Sequence, residues 1–470
     1  MGRKWLIPIP LAVAFLLGTL TFPPWDTLTY DGALYIDIAR NLAVNPTNFT
    51  YQGVYVMYRP PLYPYTLSAF YRFIHAPLDQ LTVARLVSLL AFSLTASLVF
   101  LLARELLEDD EGALLASLFY IFNALAFTMG TRELVHSEFT LFYTLAIYLL
   151  YTGRKRGNPT RIYLAFVSAG LAILTRYTGL SLIAVFIAYL WFTECWDWAR
   201  KREYWVGFAL LLLTLSPWLY LGHLHYGGAL KPFEIASRTV TADRPVSVSD
   251  YFKLLRRDMG AVLLLLTALG ILGQKKNMKG WLLLSWFFVG LMGILTVTHK
   301  ETRFITFLAP VMGILAVEGV SLMVDWVEKV LELAERPIKS WKKAVTIGIA
   351  LLLLVPVGRS AFALKEKWDV TGKYDSHVLR YASEHYPGEK LLVSPYLYTM
   401  AGFYYPGARV EMILRREDVQ RKISEAYYDV IIHKEPNTYL NIITSGNYKL
   451  VKEFYNGKFK IFIRKNLGAN

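Results

Sequence analysis

Long apolar stretches recur along the first 360 residues of this 470-residue chain. A helix that crosses the roughly 30 Å hydrocarbon core of a bilayer needs about 20 mostly apolar residues. Several of the stretches are shorter, so neighbouring helices must cover their ends. We predict a multi-pass α-helical membrane protein with eleven transmembrane helices, at residues 5–22, 82–103, 112–130, 138–152, 162–176, 178–193, 205–222, 260–273, 281–297, 304–325 and 344–358.

Basic residues between these stretches predict the orientation of the helices, because short cytoplasmic loops collect Lys and Arg. With the N-terminus in the cytoplasm, eleven crossings place four short basic connections on the same side, at 154–161, 200–202, 275–279 and 339–343. This topology requires two helices within 162–193, with a turn at Arg176–Thr178. The segments that then face the outside are 23–81, 131–137, 223–259, 299–303 and the tail from 359.

The tail follows a different pattern. Short runs typical of strands are Lys390–Ser394, Val410–Ile413 and Tyr428–His433, with a helix at Arg416–Glu425 and a hairpin turn at Asn456-Gly457. We therefore predict two domains. Residues 1–358 form a transmembrane domain with outer loops at 23–81 and 223–259, and residues 359–470 form a small soluble α/β domain on the outer face.

Composition excludes several classes of protein. Only 18% of residues are charged, whereas a soluble globular protein has about a quarter. The formal net charge of +14 does not indicate nucleic-acid binding, since apolar runs separate the basic residues. The single cysteine, Cys195, excludes a disulfide framework and multi-cysteine metal sites, and we expect a buried thiol.

The first outer loop contains the first candidates for chemistry. Asp31 begins a helical stretch in which Leu34, Ile38 and Leu42 form an apolar stripe, as in a helix along a membrane surface. An acid at this place can instead cap the helix. Arg59 precedes two prolines that suit a helix start and would hold it at the mouth of the bundle, although it can also snorkel to the interface.

A series of short motifs follows along the chain, in this order: Tyr30–Tyr35 with Ala39-Arg40, Arg59–Pro64, Arg132–Glu138, Gly170–Arg176, Ser216-Pro217-Trp218, and Lys300–Phe304 leading to Pro310. In these motifs the chain resembles the GT-C class of glycosyltransferases that use polyprenyl-phosphate sugars, in the branch with protein O-mannosyltransferases and the lipid A aminoarabinose transferase. The resemblance covers about residues 5–325.

The resemblance implies an inverting transfer of a sugar from a polyprenyl phosphate, which is dolichyl phosphate in an archaeon, to an acceptor hydroxyl. The acceptor can be a protein, a glycan or a lipid. By resemblance Asp31 is the general base. The departing phosphate needs positive charge around it, and arginine suits forked contacts with phosphate oxygens. The candidates are Arg59, Arg303, Arg176, Arg132 and Lys300.

Three further residues are candidates for binding the sugar or the acceptor: Glu138, His136 and His299. Glu138 and His299 could also hold a divalent metal. However, many relatives have two consecutive acids where this chain has Asp31-Gly32, which argues against a metal requirement. Arg132 has a competing partner in Glu133, and Asp37 with Arg40 is expected to form a surface pair.

Two other functions are compatible with a membrane protein of this kind. A transporter or lipid flippase would place ionisable residues or broken helices near the middle of the membrane, often in paired repeats. An inactive scaffold of the same fold would present its outer tail to partners. Because the charged candidates lie at one face and no repeat is visible, the sequence favours the glycosyltransferase.

Overall fold

The computed structural model of the protein describes residues 4–241, 245–333, 341–413, 417–435 and 447–465. The chain divides into two compact units. The first, here called the helical unit, consists of Met1–Phe22, Met57–Tyr63 and Arg85–Trp368. The second, here called the α/β unit, consists of Pro23–Val56, Pro64–Ala84 and Asp369–Asn470. Most of the first long loop thus packs with the C-terminal residues, whereas we expected it to accompany the transmembrane domain.

Helices dominate the described residues. The α-helices are α1 Pro8–Leu20, α2 Tyr30–Val44, α3 Leu62–Tyr71, α4 Pro77–Leu107, α5 Asp110–Ile121, α6 Ala124–Gly130, α7 His136–Lys155, α8 Pro159–Thr175, α9 Ser181–Glu194, α10 Arg202–Tyr226, α11 Lys231–Thr241, α12 Val248–Met259, α13 Ala261–Leu272, α14 Met278–Leu295, α15 Ala309–Leu333, α16 Lys342–Asp369, α17 Lys373–His385, α18 Tyr398–Tyr404 and α19 Glu417–Ser424. The strands are β1 Thr50–Tyr51, β2 Val54–Tyr55, β3 Lys390–Val393, β4 Arg409–Met412, β5 Val430–Lys434, β6 Tyr448–Phe454 and β7 Phe459–Arg464.

Each of the eleven stretches predicted to cross the membrane contains a helix. Within the described residues, six helices are long and apolar enough to span a bilayer, or seven if α5 and α6 form one broken span. The apolar helices α1, α8 and α13 are shorter. The structure therefore confirms a multi-pass helical membrane fold, while the number eleven stays a prediction.

One predicted span is not a single helix. We expected an unbroken helix over 112–130, but α5 and α6 meet at an angle of 66°. Asn123 causes the break, since its side-chain oxygen accepts hydrogen bonds from the amides of Leu125 and Ala126 at 3.1 and 3.2 Å. This is N-capping, which begins a new helix.

The turn predicted at Arg176–Thr178 is confirmed. Helix α8 ends at Thr175, Arg176 is extended with φ −149° and ψ 133°, and a 3-10 helix at Tyr177–Leu180 leads into α9. Gly179 makes the turn compact, because a Cβ atom there would lie 2.8 Å from the backbone nitrogen of Ile173. The turn places Arg176 at the end of α8.

Two other expectations are corrected. The tail does not begin near residue 359, because α16 continues through Pro356 to Asp369. Cys195 is exposed rather than buried, since it follows the last residue of α9 and has a positive φ of 49°. Apolar periodicity does not fix the residue at which a helix ends, so neither feature followed from the sequence.

The α/β unit contains a five-stranded sheet with the order β4-β3-β5-β7-β6. Strand β3 is parallel to both β4 and β5, while β7 is antiparallel to β5 and β6. The predicted hairpin is confirmed: Asn456 and Gly457 have φ values of 57° and 79° between β6 and β7. The predicted strands agree with β3, β4 and β5, and the predicted helix agrees with α19, although Arg416 lies outside the described residues.

Helix α2 packs against α18 in the same unit, through Asp37 and Arg40. Arg40 is not part of a surface pair: its Nε donates to the Gln80 side-chain oxygen at 2.6 Å, and its guanidinium lies 4.9 Å from the Phe403 ring centroid. Burial raises the pKa of Asp37 from 3.8 to about 6, and the charge of Arg40 opposes this only in part. The folded chain therefore holds the Asp37 proton more tightly than the unfolded chain does.

This shift predicts a pH dependence of stability. Between about pH 4 and pH 6 the folded state binds more protons at Asp37, so the free energy of unfolding falls as the pH rises. Asp37→Asn removes this contribution. The thermal midpoints of Asp37→Asn and wild type would be measured in the same detergent. We expect the midpoint of Asp37→Asn minus that of wild type to increase from pH 4 to pH 7. A difference between the two proteins that stays constant over this range contradicts the assignment.

Candidate active site

The centre of the candidate site in the helical unit is the contact between Arg176 and His136. Helix α8 ends beside the beginning of α7, and Arg176 Nη1 lies 2.6 Å from His136 Nδ1. Arginine is always a donor, so His136 Nδ1 must accept and the imidazole is neutral. The guanidinium carbon of Arg176 also lies 5.0 Å from the Phe304 ring centroid and 5.8 Å from that of Phe139. The side chain is thus held between aromatic rings, which favour a cation.

Arg303 lies in the same region. Both guanidinium groups lie near the ring of Phe304, which places Arg303 and Arg176 close to each other. The guanidinium carbon of Arg303 lies 5.8 Å from the Phe304 ring centroid and 5.7 Å from that of Trp368. Phe304 therefore contacts both arginine residues, and the structure brings together Arg176, Arg303 and His136 of the predicted site.

Glu301 joins two more predicted residues, although we did not predict a role for it. One of its carboxylate oxygens bonds Arg303 Nε, and the other lies 3.0 Å from His299 Nε2. The Glu301 backbone oxygen accepts from the Tyr251 hydroxyl of α12 at 3.3 Å. The signal in the sequence was an acid two residues before an arginine, which is common and has little specificity.

Helix α12 fixes the same segment through Asp258. This buried carboxylate accepts from the Thr302 hydroxyl and from Arg257 Nε, both at 2.7 Å, and lies 3.9 Å from Lys367 Nζ of α16. Thr302 lies between Glu301 and Arg303, so Asp258 holds the backbone that carries both side chains. The conformation of Arg303 thus depends on the ends of α12 and α16.

The segment that carries Arg59 is held by three aromatic side chains. The Met57 amide donates to the Tyr226 hydroxyl at 2.9 Å, and the Met57 carbonyl accepts from the Tyr177 hydroxyl at 2.6 Å. The Trp218 indole donates to the same Tyr177 hydroxyl at 2.8 Å. Because Tyr177 follows Arg176 directly, the backbone two residues before Arg59 is tied to the Arg176 turn.

Arg132 has a different environment from the other arginine residues. Its Nη2 lies 3.2 Å from Glu133 Oε1, and Arg85 Nε lies 2.9 Å from Glu133 Oε2, with all three side chains fully buried. Arg132 Nη1 also donates to the Trp368 carbonyl at 3.3 Å. This geometry supports the competing interpretation, in which Arg132 pairs with Glu133 inside the protein. The sequence did not indicate the second partner, Arg85.

The remaining candidates in the helical unit are also placed. Lys300 is buried, and its ammonium donates to the Val246 carbonyl at 3.0 Å. Glu138 is buried in the first turn of α7, two residues after His136. Across the described part of the chain, no group of three or more His, Cys, Asp or Glu side chains could hold a metal ion. The suggested metal role of Glu138 and His299 therefore has no third ligand of these types in the described residues.

Asp31 belongs to the α/β unit, so its association with the arginine residues stays a prediction. It lies in the first turn of α2 and is partly buried. The capping residue is Thr29, whose hydroxyl accepts from the Gly32 amide at 3.0 Å. Asp31 is therefore not the N-cap, although a carboxylate in the first turn still interacts favourably with the helix dipole.

The buried ion pairs of Glu133 predict a large effect on stability. Glu133→Gln leaves Arg85 and Arg132 without the carboxylate between them, and loss of one partner in a buried network typically costs about 3–5 kcal/mol. We expect a clearly lower thermal midpoint in detergent. Glu111→Gln is the control, since the Glu111–Lys343 pair at 2.9 Å is largely exposed. Equal midpoints for the two variants contradict a structural role for Glu133.

Sequence comparison identifies related proteins for part of the chain. Residues 58–221 match the family model for dolichyl-phosphate-mannose-protein mannosyltransferase. An uncharacterized protein of Aquifex aeolicus is 26% identical over 224 residues, which are 47% of this chain and 44% of that protein. The match therefore spans less than half of that relative's length.

Solved structures match over the full chain. ArnT from Cupriavidus metallidurans bound to undecaprenyl phosphate has a TM-score of 0.72 at 14% identity, with 100% of both chains covered. The oligosaccharyltransferase AglB from Archaeoglobus fulgidus, in complex with an inhibitory peptide and a dolichol-phosphate, has a TM-score of 0.66 at 13% identity, with 100% of this chain and 75% of that chain covered. These matches show that the chain has the fold of the GT-C class of membrane glycosyltransferases.

Proposed function

We propose that the protein is a membrane glycosyltransferase that moves a sugar from a polyprenyl-phosphate carrier to an acceptor hydroxyl. The proximity of Arg176 and Arg303, which both lie near the Phe304 ring, is the observation that carries the proposal. Two guanidinium groups at one end of an apolar helical unit suit an anionic headgroup with a long apolar tail. The family match and the fold support the same class of reaction.

Each side chain of this region has a proposed task. Arg176 and Arg303 hold the phosphate, with Arg59 as a third contact from the segment tied to Tyr177. The neutral imidazole of His136 accepts a hydrogen bond from Arg176 and, unlike a carboxylate, does not repel the phosphate. Glu138, two residues later, binds the sugar or the acceptor. Arg132 and Lys300 support the fold in this proposal, because the one pairs with buried Glu133 and the other bonds a backbone carbonyl.

The reaction breaks the bond between the anomeric carbon and the phosphate oxygen. The acceptor oxygen forms the new bond from the opposite side, so the configuration at the anomeric carbon is inverted. Asp31 takes the proton of the acceptor hydroxyl. The electron pair of the broken bond stays on the phosphate, where the guanidinium groups stabilise the added negative charge. No general acid is needed because the phosphate is already a good leaving group.

We also propose that this end of the helical unit faces the outside of the cell. Helix α7 begins at His136 and ends at Lys155, about 30 Å away along the helix axis. Basic side chains near its far end include Arg154 and Arg156, which pair with Glu194 and Glu105. Because short cytoplasmic loops are rich in Lys and Arg, that far end is assigned to the cytoplasm.

A transfer assay tests the proposed function. Purified protein in lipid would receive radiolabelled dolichyl phosphate mannose, chosen from the family match, together with other polyprenyl-phosphate sugars. Release or transfer of the sugar would be followed in wild type and in Asp31→Asn. We expect a fall of about two to four orders of magnitude in the variant, the size of a lost general base.

Two outcomes contradict the proposal in different ways. Equal turnover of wild type and Asp31→Asn shows that Asp31 is not the general base. The absence of any sugar release, combined with movement of the labelled lipid across the vesicle membrane, replaces the transferase with a lipid flippase. Arg156→Gln is a suitable control, since this half-exposed side chain lies at the far end of α7 and should leave turnover unchanged.

A further inference from the structure

The side chain next to Asp31 is anchored by two residues from the C-terminal part of the α/β unit. The Tyr30 hydroxyl donates to Asp375 Oδ2 at 2.5 Å, and the Lys434 ammonium lies 2.6 Å from Asp375 Oδ1 and 3.3 Å from the Tyr30 hydroxyl. Tyr30 is the first residue of α2, Asp375 lies in the first turn of α17, and Lys434 ends β5. These three residues, here called the Tyr30 triad, form a closed hydrogen-bonded network.

The triad is largely enclosed. The exposed fractions of the Lys434 and Asp375 side chains are 16% and 7%. The Lys434 ammonium also lies 5.9 Å from the Tyr30 ring centroid and 5.4 Å from that of Phe459. Charge-assisted hydrogen bonds of this kind are about twice as strong as neutral ones. The position of the Tyr30 ring is therefore well determined.

The segment leading into α2 has further contacts with the same region. Gly372 has a φ of 75°, and a Cβ atom there would lie 2.0 Å from the Leu28 carbonyl oxygen. Lys373 Nζ lies 3.8 Å from an Asp26 carboxylate oxygen. The turn before α17 thus fits against residues 26–30, and only glycine can occupy position 372 without moving the backbone.

Anchoring Tyr30 restricts Asp31. Successive side chains of an α-helix differ by about 100° around the axis, so a fixed Tyr30 side chain sets the rotation of the first turn. Thr29 sets the beginning of the same helix through its bond to the Gly32 amide. Together these contacts set the direction of the Asp31 Cα–Cβ bond, from which the carboxylate projects. A displacement of about 1 Å at a catalytic group can reduce the rate about 100-fold.

We propose that the Tyr30 triad is a positioning device for the general base, and that this is a function of the C-terminal sheet and of α17. The proposal rests on the proposed function, in which Asp31 takes the acceptor proton. Tyr30, Asp375 and Lys434 are positioning residues that act on the reaction only through Asp31. The acceptor itself need not contact them.

Tyr30→Phe tests the proposal most cleanly, because it removes one hydroxyl and leaves the Asp375–Lys434 ion pair intact. Turnover would be measured for Tyr30→Phe and Asp375→Asn in the full-length wild type and in the Asp31→Asn background. We expect kcat to fall about 10-fold or more, with the KM for the lipid-linked sugar unchanged. In the Asp31→Asn background, neither substitution should lower the residual turnover further, because the group that they position is already lost.

Lys422→Met is the matched control. It breaks the Lys422–Glu411 pair, at 2.9 Å, which is a partly buried ion pair elsewhere in the same unit. We expect this variant to retain wild-type turnover. If the turnover of Lys422→Met falls as far as that of Tyr30→Phe, general destabilisation explains both results and the positioning proposal is overturned.

The other outcomes are equally decisive. An equal loss for Tyr30→Phe in the wild-type and Asp31→Asn backgrounds shows a structural role alone. Wild-type kcat in Tyr30→Phe, with a clear loss in Asp31→Asn, overturns the positioning proposal and leaves the proposed function in place. Wild-type turnover in Asp31→Asn overturns both.

Discussion

The contact between Arg176 and His136 is the interaction on which the proposed site depends. It forms only because α7 and α8 are antiparallel, so that the end of one lies beside the beginning of the other. A permanent positive charge at the edge of an apolar bundle is costly unless polar or aromatic groups surround it. Phe139, Phe304 and the neutral imidazole meet that requirement, and Phe304 extends the same environment to Arg303.

Other charged groups in the helical unit have a structural role and not a proposed role in substrate binding. Arg85, Glu133 and Arg132 form a fully buried network that links two parts of the chain and also bonds the backbone of Trp368, whose ring contacts Arg303. Asp258 fixes Thr302 in a similar way. These groups hold the backbone on which the candidate ligand-binding arginine residues depend. The helical unit therefore separates charges that support the fold from charges that are proposed to bind substrate.

Much of the fold could be predicted because long apolar runs indicate helices that can cross a bilayer. Each apolar run contains a helix of the structure. The turn at Arg176 was predicted because the short basic loops must all lie on the same side of the membrane. The break at Asn123 was missed, because one capping side chain inside an apolar run leaves the hydropathy almost unchanged. The grouping of the first loop with the C-terminal residues was also missed. Tyr30 and Asp375 are 345 positions apart, and no local pattern indicates such a pairing.

The site was only partly predictable, because no local sequence pattern indicates which distant residues contact each other. Arginine residues near helix ends could be selected from the sequence. Their distant contacts could not, such as that of Arg176 with Phe304 or that of Arg303 with Trp368. The most direct test is to find where the lipid phosphate binds. A photoreactive polyprenyl phosphate without a sugar would be cross-linked to the protein in lipid, and the labelled peptides would be identified. We expect label in residues 134–140, 174–180 and 299–305. Label confined to 154–161 and 194–203, at the other end of the helical unit, would contradict the proposed phosphate site.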